Sequence, residues 1–284
     1  RAGVGPRDAS PGAGHYSTLR FSTRYGTALM NTDYFSAQAD RYVAFRPHYP
    51  DALFDALCRE LPAAALAWDC ATGNGQAAVM LGRRVARVIG SDRSAAQLRH
   101  AVPQAHVHYV QARAEAMPLR ARSVDLITIA QALHWFDFGR FHTEAARVLK
   151  PGGIIAAWTY SFLSVIPQLG GDIERVLRRF YHDVVGPHWP AERRWVDEGY
   201  RTIPFPWPAI DIGAFTIDVA WNLASVVGYV SSWSATQRYV TATGTDPLPM
   251  LVRELAEAWG APETSRRLQW PLSIRAGRMP APRH

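Results

Sequence analysis

Ala67-Trp68-Asp69-Cys70-Ala71-Thr72-Gly73-Asn74-Gly75-Gln76 decides how this chain is read. Leu66 to Cys70 forms a short apolar strand, and Ala77-Ala78-Val79-Met80-Leu81 opens a helix. A small-residue turn with two glycines joins them. A strand–turn–helix of this kind brings backbone N–H groups and the positive end of a helix close to a ligand. Glycine suits the turn because a side chain would block close backbone approach or an unusual dihedral angle.

Outward from this turn, strands and helices alternate. Further strands are expected at Val85–Asp92, His106–Gln111, Val124–Ala130 and Ile154–Tyr160, with helices at Ser94–Ala101 and Arg140–Leu149 between them. The unbroken apolar run Val124–Ala130 suits a strand buried on both faces. Lys150-Pro151-Gly152-Gly153 stops the helix before strand five. Such alternation implies a parallel, doubly wound sheet whose ligands bind outside the carboxyl ends of the strands. Upstream, Ala39, Tyr42 and Val43 have helical spacing, and that helix ends before Pro47. Pro50-Asp51 opens another, with Leu53, Phe54, Leu57 and Leu61 on one side.

After Tyr160 the pattern changes. Ile173, Val176, Leu177 and Phe180 fit a helix, and a proline-rich stretch with Trp189, Trp195, Tyr200, Phe205 and Trp207 follows. Residues 161–210 are therefore read as an aromatic-rich lid. Phe215–Trp221 is a sixth strand, Val226–Trp233 and Met250–Trp259 are helices, and Leu268–Ala276 is the last strand.

The chain has 284 residues, 48% hydrophobic and 19% charged, enough for a large core without disulfides or metals. Net charge is +7, but Lys150 is the only lysine and the arginines are scattered. A nucleic-acid partner, which needs a clustered basic face, is not expected. Cys58 and Cys70, without CxxC spacing or neighbouring histidines, indicate no metal site and suit a reducing cytoplasm. No long apolar run predicts a membrane span. Residues 1–29 lack hydrophobic periodicity and read as a disordered tail, upstream or added, before a natural start at Met30. An Arg-rich, acid-poor transit peptide is the rival reading. Residues 30–284 form the folded domain.

Two cofactors compete for the turn. A dinucleotide fingerprint is G-x-G-x-x-G with an acid about 20 residues on. Its third glycine falls at Gln76, which argues against NAD. Asp69-x-Ala71-x-Gly73-x-Gly75 instead resembles the E/D-x-G-x-G-x-G motif of class I S-adenosylmethionine-dependent methyltransferases, with Ala71 in place of the usual first glycine. The resemblance implies a Rossmann-like, mostly parallel seven-stranded sheet with a helical lid inserted after strand five. It implies that Asp92 meets the ribose hydroxyls, that Arg93 lies against the adenine, and that Ala114-Glu115-Ala116-Met117-Pro118-Leu119 forms the adenine-edge loop. Val148-Leu149-Lys150-Pro151-Gly152-Gly153 resembles the turn before strand five. Three further segments resemble the trans-aconitate methyltransferase-like branch, which acts on small molecules. They are Phe35-Ser36-x-x-Ala39-x-x-Tyr42-x-x-x-Arg46-Pro47-x-Tyr49-Pro50, Gln131-Ala132-x-His134-Trp135-Phe136-Asp137, and Trp270-Pro271-Leu272-Ser273-Ile274-Arg275.

The expected cofactor site thus comprises Tyr42, Arg46, Asp69, Ala71, Gly73, Gly75, Asp92, Arg93, Ala114, Glu115 and Gln131, for S-adenosyl-L-methionine. His134 is the candidate general base, an imidazole being suited to that task near neutral pH. Equally, His134 and Trp135 pack beside the cofactor. Asp137 either orients His134 or caps a helix. Arg46 clamps a carboxylate of the cofactor or of an acidic substrate, or lies on the surface. Tyr42 is a pocket wall or a core residue. Trp135, Trp195 and Trp233 are expected at the substrate, and Arg194, Arg201 and Arg238 are candidate carboxylate partners. The expected reaction is methyl transfer to a small molecule at a carboxylate or hydroxyl oxygen, in the cytoplasm, with oligomeric state left open. The rivals are a protein of this fold that binds cofactor without turnover and an NAD-dependent oxidoreductase.

Overall fold

The computed structural model describes residues 46–63, 65–165 and 171–281. The expected tail, the Met30 start and the helix through Tyr42 lie outside the described residues. Helix α1 (Asp51–Arg59) follows Pro50 and buries Leu53, Phe54, Ala56 and Leu57. Then come β1 (Leu66–Cys70), α2 (Gln76–Leu81), β2 (Arg87–Asp92), α3 (Ala95–Arg99), β3 (Val107–Gln111), β4 (Val124–Ala130), α4 (Phe138–Val148) and β5 (Leu149–Thr159). The alternation read from the sequence is the alternation of the fold.

The main sheet has six strands in the order β3-β2-β1-β4-β5-β9, where β9 is Ser273–Arg278. The first five run parallel, and β9 is antiparallel to β5. Six residues of β4 are buried, as its apolar run requires. Separate apolar clusters form around it. One holds Leu53, Phe54, Leu81, Leu126 and Trp158, and the other holds Trp68, Ile127, Ile129, Phe141 and Val148. The order reverses at β1, which sits between β2 and β4. That reversal opens a crevice at the carboxyl ends of the strands.

The expected seventh strand is not in this sheet. β7 (Thr216–Trp221) pairs with β8 (Arg266–Pro271), which also pairs with β6 (Ser164–Val165), in a separate three-stranded antiparallel sheet. The expected last strand, Leu268–Ala276, is two strands in two sheets. The chain leaves the small sheet at Pro271, which has no N–H to donate, and Leu272 N–H donates to Phe215 O at 2.9 Å. Among the described residues, only the isolated bridge Ala209↔Gly277 meets the far side of β9, so the sheet ends there. A second difference concerns Lys150–Gly153. These residues belong to β5 and bulge from it, because Val124 faces Leu149 while Leu126 faces Ile154. Lys150 Nζ pairs with Asp125 at 2.8 Å across the bulge.

Residues 161–210 contain β6, α5 (Gly171–Arg179), a π-helical turn at Phe180–Val184 and α6 (Arg193–Asp197). α7 (Leu223–Ser231), α8 (Ser234–Thr243) and α9 (Leu248–Trp259) follow β7. α7 starts on Asn222, whose side chain accepts from Ser225 N–H at 3.0 Å. No helix among the described residues is long and apolar enough to cross a membrane.

Candidate active site

A cavity of about 960 Å³ opens over the carboxyl ends of β1, β2 and β4. One end is lined by Ala71, Thr72, Gly73, Asn74, Asp92 and Arg93, with Ala114 and Glu115. The other is lined by rings, among them Tyr160, Tyr181, Trp189, Tyr229 and Trp233, and by Arg46, Arg193 and Arg238. Gln131, His134 and Trp135 also line it.

The turn after β1 alternates in conformation as well as in sequence. Ala71, Gly73 and Gly75 all have positive φ, at 55°, 57° and 85°. This is why glycine suits each position, and Ala71 carries left-handed strain of about 1–2 kcal/mol. Ala71→Gly removes that strain but gives up roughly 0.5–1 kcal/mol of chain entropy. A net gain of about 0.5–1 kcal/mol is expected in urea denaturation. No gain would mean that the surroundings already absorb the strain.

Asp69 does not line the cavity. It is buried under the turn, where its carboxylate accepts from Thr72 Oγ1 at 2.6 Å and Thr128 Oγ1 at 2.7 Å. Burial raises its pKa from 3.8 to about 6 against the pull of both hydroxyls, and Asp92 adds to the rise. The folded protein therefore binds this proton more tightly than the unfolded chain. Its contribution is complete below about pH 4 and is lost as pH rises through 6. Wild-type stability is expected to fall by on the order of 2–3 kcal/mol over that window relative to Asp69→Asn. Parallel pH dependences of denaturation for the two proteins would refute this.

Asp92 ends β2 beside the turn. Its two oxygens accept from Gly73 N–H at 2.9 Å and Ser94 N–H at 2.8 Å. A carboxylate oxygen can accept from more than one donor, which suits a ribose diol. The Glu115 carboxylate accepts from Asp137 N–H at 3.3 Å, which holds the 114–115 loop beside the start of α4. Asp137 itself caps α4, accepting from Arg140 N–H at 3.1 Å. An acceptor at one wall, a turn of backbone amides and a loop edge beyond it fit a nucleoside with an amino-acid tail. These residues fit S-adenosylmethionine, whose sulfonium makes its methyl group electrophilic.

Gln131, also at positive φ (56°), ties the end of β4 to β5. Its amide donates to Tyr160 O at 3.1 Å and accepts from Thr159 Oγ1 at 2.6 Å. His134 sits in a short 3₁₀ turn (Leu133–Trp135), and its Nδ1 lies 2.8 Å from Tyr200 Oη. Burial, with the Arg193 guanidinium adding, lowers its pKa to about 3. The imidazole is therefore neutral at physiological pH and a feeble proton acceptor.

Arg46 donates to Tyr160 Oη at 3.5 Å and lies over the Tyr229 ring. Trp135 is 40% exposed at the rim. Trp233 packs among Tyr181, Trp189 and Tyr229. Trp195, expected at the substrate, is not among the lining residues; it meets Phe138 edge-on and lies under Arg194. Trp207 packs on His142 and Phe205 instead. Of the three arginines singled out in the sequence, Arg238 lines the cavity, while Arg194 and Arg201 do not. Tyr42 lies outside the described residues.

Arg193 was not singled out. It stacks over Trp189 and Tyr181, with 4.4 and 5.3 Å from guanidinium carbon to ring centre. Its Nε donates to Tyr181 Oη at 2.8 Å and reaches Asp197 at 3.1 Å. Its two terminal nitrogens make no hydrogen bond among the described residues. The signal available in the sequence was the i,i+4 spacing of Arg193 and Asp197. The cavity wall also extends past residue 210, through Tyr229, Ser232, Trp233, Ser234 and Arg238.

Residues 68–157 match a family model described as a methyltransferase domain. A Dictyostelium discoideum protein described as a methyltransferase is 31% identical over 240 residues, covering 83% of this chain and 90% of its own length. A Saccharomyces cerevisiae protein described as an S-adenosylmethionine-dependent methyltransferase is 27% identical over 143 residues, 47% of this chain and 48% of the relative. Among solved structures, a protein from Anaeromyxobacter dehalogenans described as a type II methyltransferase is 41% identical. That match covers 84% of this chain and all of the other, with a TM-score of 0.77. With the turn, the Asp92 acceptor and these relatives in agreement, the chain belongs to the class I S-adenosylmethionine-dependent methyltransferases.

Proposed function

We propose that the enzyme methylates a small organic acid at a carboxylate oxygen. The observation that carries this reading is Arg193. Its Nε is committed to Tyr181 and Asp197, and its remaining N–H groups are available at a ring-lined cavity end. A guanidinium fixed in this way matches a carboxylate in bidentate fashion. Arg46 and Arg238 line the same space and add positive charge. The rings would hold the apolar body of a small substrate. A carboxylate arrives as an anion, so no proton has to be removed before its oxygen attacks the methyl carbon. That agrees with a site whose lining imidazole is neutral and weakly basic.

The protein's share of the catalysis is then alignment of nucleophile and methyl group, which is proximity and orientation. A screen with radiolabelled S-adenosylmethionine over small acids, phenols and amines should label the acids. Arg193→Gln should raise KM for the acid by about 10- to 100-fold, with S-adenosylhomocysteine affinity unchanged. Preferential labelling of phenols or amines would sink the reading.

A further inference from the structure

We infer that His134 is a hydrogen-bond donor to the substrate through Nε2, held in that tautomer by the buried hydroxyl of Tyr200. This deepens the carboxylate reading and gives His134 the opposite proton role to a general base.

The buried Tyr200 hydroxyl sets the direction of its contact with His134. Its oxygen is fully buried, and the hydrogen bond it makes among the described residues is with His134 Nδ1. If Nδ1 carried the proton, the Tyr200 O–H would be left buried without an acceptor, at a cost of about 1–3 kcal/mol. The imidazole Nδ1 stands 2.8 Å away. Nδ1 therefore accepts, and the ring of a neutral histidine carries its proton on Nε2.

Nε2 lies on the opposite edge of the ring from this buried contact. It makes no hydrogen bond among the described residues, and it is not one of the buried polar atoms without a partner. His134 lines the cavity, so this N–H is accessible from it. The backbone that delivers Tyr200 supports a positioning role. Gly199 and Tyr200 both take positive φ, 62° and 61°, a rare conformation for a bulky residue. Arg275 Nη1 then fastens the Tyr200 carbonyl at 3.0 Å and that of Ile203 at 2.6 Å. Strain of this kind persists where the surroundings over-determine it, and it collects at functional sites.

A substrate oxygen that only accepts, such as a carboxylate, suits such a donor. The charge that bears on the ring comes from α6. Arg193 disfavours the imidazolium, and Tyr200, its own pKa raised by burial, keeps its proton.

Protein labelled with ¹⁵N-histidine and saturated with S-adenosylhomocysteine provides the direct test, with His134→Gln assigning the resonance. The expected spectrum is a neutral ring with protonated Nε2 from pH 5.5 to 8.5. Tyr200→Phe should shift it to a mixture of tautomers. An Nδ1–H ring, a ring that titrates in this window, or no response to Tyr200→Phe overturns the inference. Kinetics with the best acid from the screen supply the second readout. His134→Ala should raise KM by about 10- to 100-fold, the range of a hydrogen bond to a charged acceptor. His134→Gln, which keeps an N–H near the Nε2 position, should recover most of it. A fall in kcat that His134→Gln does not rescue overturns the donor role. The spectra need no substrate, so an empty acid screen with an Nε2–H ring would fault the carboxylate reading alone.

Discussion

Gly75→Ala is expected to cripple the enzyme. A Cβ at this position would lie 2.1 Å from Tyr109 Oη and 2.8 Å from Cζ, with φ at +85°. The ring has little room to retreat. Its hydroxyl donates to Val102 O at 2.9 Å, and Gly90 on β2 already approaches it closely, since a Cβ there would fall 2.8 Å from Tyr109 Cδ1. Left-handed strain of about 1–2 kcal/mol adds to roughly 1–3 kcal/mol for overpacking. Stability should drop by about 2–5 kcal/mol, seen as a Tm lower by on the order of 5–15 °C. Because Gly75 begins α2 and closes the turn, S-adenosylhomocysteine affinity should fall with it. Tyr109→Leu in the Gly75→Ala background should restore part of the Tm by removing the ring. If the single variant melts like wild type, the close approach of ring and turn is wrong.

The second large effect is expected at Asp92. Its carboxylate fastens Gly73 and Ser94, so it shapes the turn, and it lines the cavity where the ribose is expected. Hydrogen bonds to a charged acceptor contribute about 1.5–3 kcal/mol each. Asp92→Ala removes those to Gly73 and Ser94 together with those expected from the ligand. A loss of about 100-fold or more in S-adenosylhomocysteine affinity is expected by titration calorimetry. Asp92→Asn keeps one good acceptor and should lose less. Equal losses in the two variants would mean that the side chain acts through shape alone.

Both predictions fall in the part of the molecule that the sequence describes best. The strand, the glycine turn, the acid that ends β2 and the apolar β4 are local patterns, each set by residues within a few positions of one another. Strand partnership is not local. Phe215–Trp221 alternates as any half-buried antiparallel strand does, and nothing in that pattern says which sheet receives it. Pro271 was the available sign that Leu268–Ala276 could not be one continuous strand. The aromatic-rich segment between β5 and β9, the cap, was least legible. Arg193, Arg194 and Trp195 are consecutive on a five-residue helix, too short to show a face by periodicity. Only the packing separates Arg193, at the cavity, from Trp195, against Phe138. His134 was legible as a candidate but not as a neutral imidazole, because the burial and the Arg193 charge that lower its pKa come from distant parts of the chain.

The antiparallel pairing of β9 with β5 also sets an order of events during synthesis. Ile154 emerges early, but its partner Arg278 comes long after the whole cap. Until then the outer edge of β5 is an unpaired row of N–H and C=O groups beside an apolar core, a template for pairing with another chain. The cap must form, or at least stay out of the way, while this edge waits. Low yield on expression of shortened chains would thus trace to the last strand to arrive rather than to the cofactor turn.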